Sequence, residues 1–115
     1  MPYCQKGDVK FRLAIDSGDL SFDTEIEGCI EEADAVIDIK LKDYTSVPLS
    51  SVPVLIKHVS SNLAAGLFQR RRQPLGEFVD MKQDAATVNV YWRLGMDLLD
   101  IYIEETFSQD TIRVA

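Results

Sequence analysis

Apolar positions recur at helical spacing in four stretches of this chain. Between residues 54 and 72, Leu55, Val59, Leu63 and Leu67 return every fourth position, and Ile56 and Phe68 widen the stripe. Such spacing puts side chains on one face of an α-helix, so this segment predicts a central helix around which the chain is built. Ser50 and Ser51 are candidate N-caps. Pro53 fits the first turn, where a missing N–H has no intrahelical partner to lose. Ala64, Ala65 and Gly66 leave part of the surface thin enough for another helix to approach closely. The helix closes on Arg70-Arg71-Arg72, cations favoured by the carbonyl end of a helix, and Pro74 stops it.

The flanking segments supply partners. Lys6 to Leu13 predicts a short first helix with Val9, Leu13 and Phe11 facing inward, and Asp16-Ser17-Gly18-Asp19 predicts a turn with glycine at positive φ. A second helix runs from about Asp23 to Leu41, capped by Ser21 or Asp23. It sets Ile26, Cys29, Ile30, Ala33, Val36, Ile37 and Leu41 against a polar face of Glu25, Glu31, Glu32, Asp34 and Asp38. Gln73 to Lys82 is punctuated by Pro74 and Gly76, and its Phe78-Val79 pair suits either the core or a neighbouring subunit. A last helix, about Gln83 to Thr106, turns Val88, Tyr91, Trp92, Gly95, Leu98, Leu99, Tyr102 and Ile103 inward. Asp97, Asp100, Glu104 and Glu105 lie outside. Phe107 to Ala115 lose the period, and Thr111 to Val114 lean towards β composition. The fold expected is all-α, a compact bundle of one short and three long helices over residues 1–106, with an irregular C-terminal tail over 107–115.

Composition fits that picture and narrows the function. A chain of 115 residues, 46% hydrophobic and 27% charged, is one globular domain with a single core. Its net charge of −7 argues against a nucleic-acid footprint over the whole surface and leaves Arg70 to Arg72 as the local basic candidate. No apolar run approaches the ~18 residues of a membrane span, and no signal-peptide pattern opens the chain, so manufacture in a cytoplasm is expected. Two cysteines, Cys4 and Cys29, make neither a disulfide framework nor a metal cluster and read as buried thiols.

Catalytic chemistry finds little support. His58, the single histidine, sits beside Lys57 and Ser60-Ser61 and reads as an exposed or edge position. Glu31-Glu32 and Glu104-Glu105 are adjacent helical residues, which diverge by roughly 100° and do not converge on one point. One histidine is too few for the paired Glu-x-x-His motifs of a di-metal bundle, and the six glycines form no phosphate-cradling loop. The expectation is a non-enzyme without metal or cofactor. For Arg70 to Arg72 two readings stand: a solvated turn that pairs with neighbouring acidic faces, or a contact for an acidic partner or a phosphate backbone.

Several short runs resemble a known family. They are Tyr3-Cys4 with Asp8-Val9 and Arg12-Leu13, Ile30 to Asp38, Tyr44 with Val47-Pro48-Leu49, and Val52 to Ile56. Ala64-Ala65 with Leu67-Phe68 and Arg70-Arg71, and Trp92 with Gly95, Leu98 and Tyr102, complete the set. Together, over residues 3 to 106, they resemble the head–tail connector proteins of long-tailed phages, also called adaptor or head-completion proteins, with the Mu-like branch nearest in pattern. The resemblance implies a structural virion protein made in the host cytoplasm and located in the neck. It would dock as a ring, usually of twelve copies, beneath the portal protein. There it would extend the channel for passing genomic DNA without sequence specificity, and offer a surface to a tail or stopper protein. It also implies a C-terminal segment that orders on docking, so Phe107, Ile112, Arg113 and Val114 are expected portal contacts. Arg70, Arg71, Arg72, Phe78 and Val79 are further candidate contacts. The alternative is a small helical nucleic-acid-binding or regulatory module that uses the Arg70 to Arg72 patch.

Overall fold

The computed structural model describes residues 2–72 and 81–114, with side-chain surroundings for 2–71 and 90–107. Four helices follow in order: α1 (Lys6–Leu13), α2 (Asp23–Leu41), α3 (Val54–Arg72) and α4 (Met81–Val114). The all-α expectation holds. Helix α3 is the hub, touching α4, α2 and α1, while α1 and α2 touch each other less. Ile26, Ile37, Leu41, Ile56, Leu63 and Leu99 are completely buried around it. Each such side chain contributes about 1.5–3 kcal/mol through removal from water.

Helix α1 is defined at both ends by hydrogen bonds. The Asp8 carboxylate accepts the Gln5 N–H at 2.8 Å. At the other end Ala14 takes the left-handed conformation (φ 58°), and the next amide, of Ile15, donates to the Lys10 carbonyl at 2.9 Å. Positive φ therefore falls on Ala14 rather than on Gly18. The turn between α1 and α2 uses side chains instead, with Asp16 accepting the Gly18 N–H at 3.1 Å and Asp19 that of Ser21 at 3.0 Å. Phe11 does not face inward: it is 84% exposed, because Val9, Lys10 and Leu13 fill the inner arc of this short helix.

Lys10 is the unexpected core member. Its ammonium lies 2.7 Å from Asp23 Oδ1 and donates to the Asp19 carbonyl at 2.9 Å and to the Ser17 carbonyl at 3.4 Å. The α1–α2 turn is thus wrapped around a buried cation whose three protons each have an acceptor. Neither Ser21 nor Asp23 caps α2: Phe22 holds the N-cap position without a side-chain bond, and Asp23 is already engaged by Lys10 and Lys6. The Phe22 ring meets Phe68 edge-on at 5.6 Å, which fixes how the chain joins α2.

Ser50 and Ser51 do not cap α3 either. The first helical bond runs from the Lys57 N–H to the Pro53 carbonyl at 3.1 Å, so the helix begins after the proline. Proline disfavours helical conformation in the residue before it, here Val52, and this sets the boundary. The thin surface expected at Gly66 is used: a Cβ there would lie 2.9 Å from the Trp92 backbone nitrogen, and one on Gly95 would lie 2.6 Å from Leu63 Cδ2. Rising numbers on α3 meet falling numbers on α4, so the two run antiparallel with nearly touching backbones.

That register sets Val54, the first residue of α3, opposite about position 104 of α4. The last ten positions of α4 run past the start of α3. At 1.5 Å per residue its 34 residues span about 51 Å, matching the 52 Å long dimension of the molecule. The irregular tail expected over 107–115 is accordingly corrected through Val114. No proline or glycine interrupts the sequence after Thr106, and extending an existing helix adds one hydrogen bond per residue fixed.

Candidate functional site

The segment before α1 looks like a short lead-in, yet Tyr3 and Cys4 are among the most buried residues, at 4% and 2% exposure. Tyr3 is held by α2 carboxylates directly, and Cys4 through Ser60 of α3. The Tyr3 amide donates to Asp34 Oδ2 at 3.0 Å, and its phenol donates to Asp38 Oδ1 at 2.5 Å while accepting the Leu49 N–H at 2.8 Å. One aromatic residue therefore ties the N-terminal strap to α2 and to the α2–α3 loop. Ser60 of α3 lies 2.7 Å from Asp34 Oδ1 and 3.2 Å from Cys4 Sγ. A hydroxyl has one proton, so Ser60 donates to the carboxylate and accepts from the thiol.

The electrostatics of this cluster are those of a structural lock. Burial, then the bond to Asp38, pushes the Tyr3 phenol up to about 12, and burial pushes the Cys4 thiol up to about 11. Burial also raises Asp34, against the lowering effect of its bonds to Ser60 and Tyr3. Cys4 stays protonated and shielded, the opposite of what a nucleophile needs. Outside this lock runs an open groove of about 550 Å³ whose wall includes Glu27, Glu31, Asp34 and Asp38, one stripe of α2. Among the described residues, no group of three or more His, Cys, Asp or Glu side chains is arranged to hold a metal ion.

His58 is exposed, and its Nδ1 lies 3.0 Å from the Arg12 guanidinium. Arginine can only donate, so Nδ1 accepts and the ring proton sits on Nε2. The neighbouring Ser60, Ser61 and Asn62 are buried rather than at an edge. Ser61 and Asn62 donate back to the His58 carbonyl at 3.2 and 2.8 Å, which satisfies them inside the helix bundle.

The arginine cluster divides. Arg71 reaches across to α2 and pairs with Glu32, beside Gly28. Arg70 is exposed, and Arg72 ends α3 with its side chain outside the described residues. Phe78 and Val79 lie outside the described residues altogether. Phe107 is half-buried within the chain: it stacks on Tyr44 at 5.1 Å and 24° and meets Tyr102 edge-on at 6.1 Å. It thereby anchors the overhanging part of α4 to the α2–α3 loop. Ile112, Arg113 and Val114 share the helical backbone of α4, and their side chains lie outside the described ones.

Sequence reasoning assigned Asp34 and Asp38 to a solvated face and missed the lock. The available signal was Ser60, a polar residue on the apolar face of α3 beside Val59 and Leu63, whose hydroxyl takes Asp34 as its partner. The outer side of α4 was missed as well: Val90, Leu94 and Ile101 are 58%, 46% and 50% exposed and share one stripe. No protein-family model, curated protein or solved structure matches this chain. Among the described residues, no helix is long and apolar enough to cross a membrane.

Proposed function

We propose that this chain is a structural virion protein, a head–tail connector that docks as a ring beneath the portal, extends the DNA channel and joins head to tail. The reading rests on the sequence resemblance to that family. The observation that supports it best is the form of α4, a 34-residue helix that runs past its one main partner, α3. A helix whose last ten positions run past the start of its neighbour suits insertion into a neighbouring assembly. The cluster around Tyr3, Cys4, Asp34 and Ser60 is consistent with a scaffold rather than a catalyst.

Under this reading the portal contact lies in the overhang, at Ile112, Arg113 and Val114, while Phe107 holds the overhang at its root. Acidic positions along α2 and α4 would face a channel through which duplex must slide, since negative charge repels phosphate rather than gripping it. The alternative, duplex binding through Arg70 to Arg72, loses part of its basis because Arg71 is paired with Glu32. Deleting residues 108–115, which leaves Phe107 in its stack, tests the reading by titration against the portal protein from the same source. Loss of binding is expected; unchanged affinity would remove the overhang from the interface.

A further inference from the structure

A cleft of about 480 Å³ opens where the C-terminal end of α2 and the loop after it meet α4. Asp100, Ile103 and Glu104 follow at i, i+3 and i+4, so one face of α4 forms a wall, and Phe107 continues that face. Ile39 and Lys40 of α2, then Asp43 and Tyr44 of the loop, form the other wall. Ile39 is 63% exposed and Tyr44 52%, two large apolar groups left open in one concavity. Open apolar surface of this kind marks an interaction site.

Charge decides what fits it. Asp43 and Asp100 are exposed and carry no ion pair among the described residues, Glu104 adds a third carboxylate, and Lys40 is the one cation of the lining. Beyond the lining, Lys42 precedes Asp43, while Asp97 and Glu105 flank the α4 wall. The cleft is therefore net acidic: it suits a cation and repels a phosphate backbone or an anionic lipid surface. Tyr44 narrows the choice of cation. Phe107 stacks on one face of its ring at 5.1 Å and 24°, and the residue is still more than half exposed in the cleft. A planar guanidinium stacks on such a ring and offers paired N–H groups to carboxylates, which a compact ammonium does less well. Its methylene stem suits the apolar surface of Ile39 and Ile103. The larger groove along Glu27, Glu31, Asp34 and Asp38 is acidic too, but its tyrosine, Tyr3, is buried and its hydroxyl is already bonded.

We infer that this cleft docks an arginine-bearing segment of a partner protein, with the guanidinium on Tyr44 between Asp43 and Asp100 and the stem along Ile39 and Ile103. The Tyr44–Phe107 stack holds the ring in place beforehand, so docking has little left to order. The cleft has the same chemistry whether or not the chain sits in a virion neck.

The test is an amide-shift titration of the full, nitrogen-15-labelled chain, which detects weak binding and maps it. The probe is a blocked hexapeptide of alternating leucine and arginine, compared with versions carrying lysine or glutamate in place of arginine. Shifts are expected at positions 39–44 and 100–104 with the arginine peptide, weaker with lysine and absent with glutamate. Asp43→Asn/Asp100→Asn keeps shape at two exposed positions and should weaken binding about tenfold, with the rest of the spectrum unchanged. No shifts, shifts centred on the groove along Glu27 and Asp38, unchanged affinity in the double variant, or equal affinity for the lysine peptide would each overturn the inference. Shifts at the same positions on concentrating the chain alone would overturn it as well, by giving the cleft to a second copy.

Discussion

Tyr3 and Asp38 are joined by a 2.5 Å hydrogen bond from phenol to carboxylate, across 35 positions of sequence. The same oxygen accepts the Leu49 amide, so one hydroxyl fixes the N-terminal strap, α2 and the loop leading to α3. Replacing Tyr3 with Phe keeps the ring and removes the hydroxyl. The Leu49 N–H and one Asp38 oxygen then lose their partner, and bonds to charged groups of this kind contribute about 1.5–3 kcal/mol. Urea unfolding of Tyr3→Phe is expected to show a loss of about 2 kcal/mol with unchanged helix content. A loss within measurement error would mean that the strap is not held by this bond.

Alkaline pH should loosen the same strap. In the folded chain the Cys4 thiol is raised from its ordinary 9 to about 11, and the Tyr3 phenol from 10 to about 12. Both groups are therefore kept neutral by folding, and their contribution is fully present below pH 9. It is lost as pH climbs from 9 towards 12, because the unfolded chain releases these protons first. The urea midpoint should fall over that window, and a Tyr3→Phe/Cys4→Ala double variant should fall less steeply. Parallel profiles for the two proteins would locate the alkaline transition elsewhere.

Glycine and alanine exchange should act in opposite directions at three places. Gly66→Ala places a Cβ 2.9 Å from the Trp92 backbone, which cannot yield without moving α4, so overpacking is expected to cost about 1–3 kcal/mol. Gly7→Ala meets nothing within 4 Å and gains helix propensity of about 0.8–1 kcal/mol. Ala14→Gly relieves a left-handed alanine, whose strain is about 1 kcal/mol. Thermal melts of the three variants should rank Gly66→Ala below the parent and the other two above it.

Two cations should differ sharply. Lys10 is buried with three acceptors, whereas the Arg71–Glu32 pair is half exposed on both sides. Lys10→Met strands the Asp19 and Ser17 carbonyls and leaves Asp23 without its nearest cation, so it should lower the unfolding midpoint strongly. Arg71→Ala removes a solvent-screened pair and should cost at most about 1 kcal/mol. Raising the salt concentration should shrink the Arg71 effect and leave the Lys10 effect nearly unchanged. Similar losses for both would refute the burial argument.

Much of the fold is legible in the sequence, for reasons that also explain the failures. The bounds of α1 and α2 follow from an uninterrupted i, i+3, i+4 pattern between clear turn residues. Phe11 misleads because hydrophobicity alone does not tell an inward aromatic from an outward one on a two-turn helix. Tyr3, Asp34 and Ser60 are invisible as a group because their hydrogen bonds join positions 26 to 31 apart in sequence, and periodicity reports only local geometry. The end of α4 was misjudged because Thr111 to Val114 have β-leaning side chains, a weak preference next to propagation of an established helix. Its outer stripe was overlooked because the acidic residues interspersed along it make α4 read as apolar on one side alone.

The connector reading is tested most directly by quantitative mass spectrometry of purified virus particles from the source, with portal and major capsid proteins as internal standards. The account predicts this chain at about the copy number of the portal protein. Its absence from the particles would contradict the account.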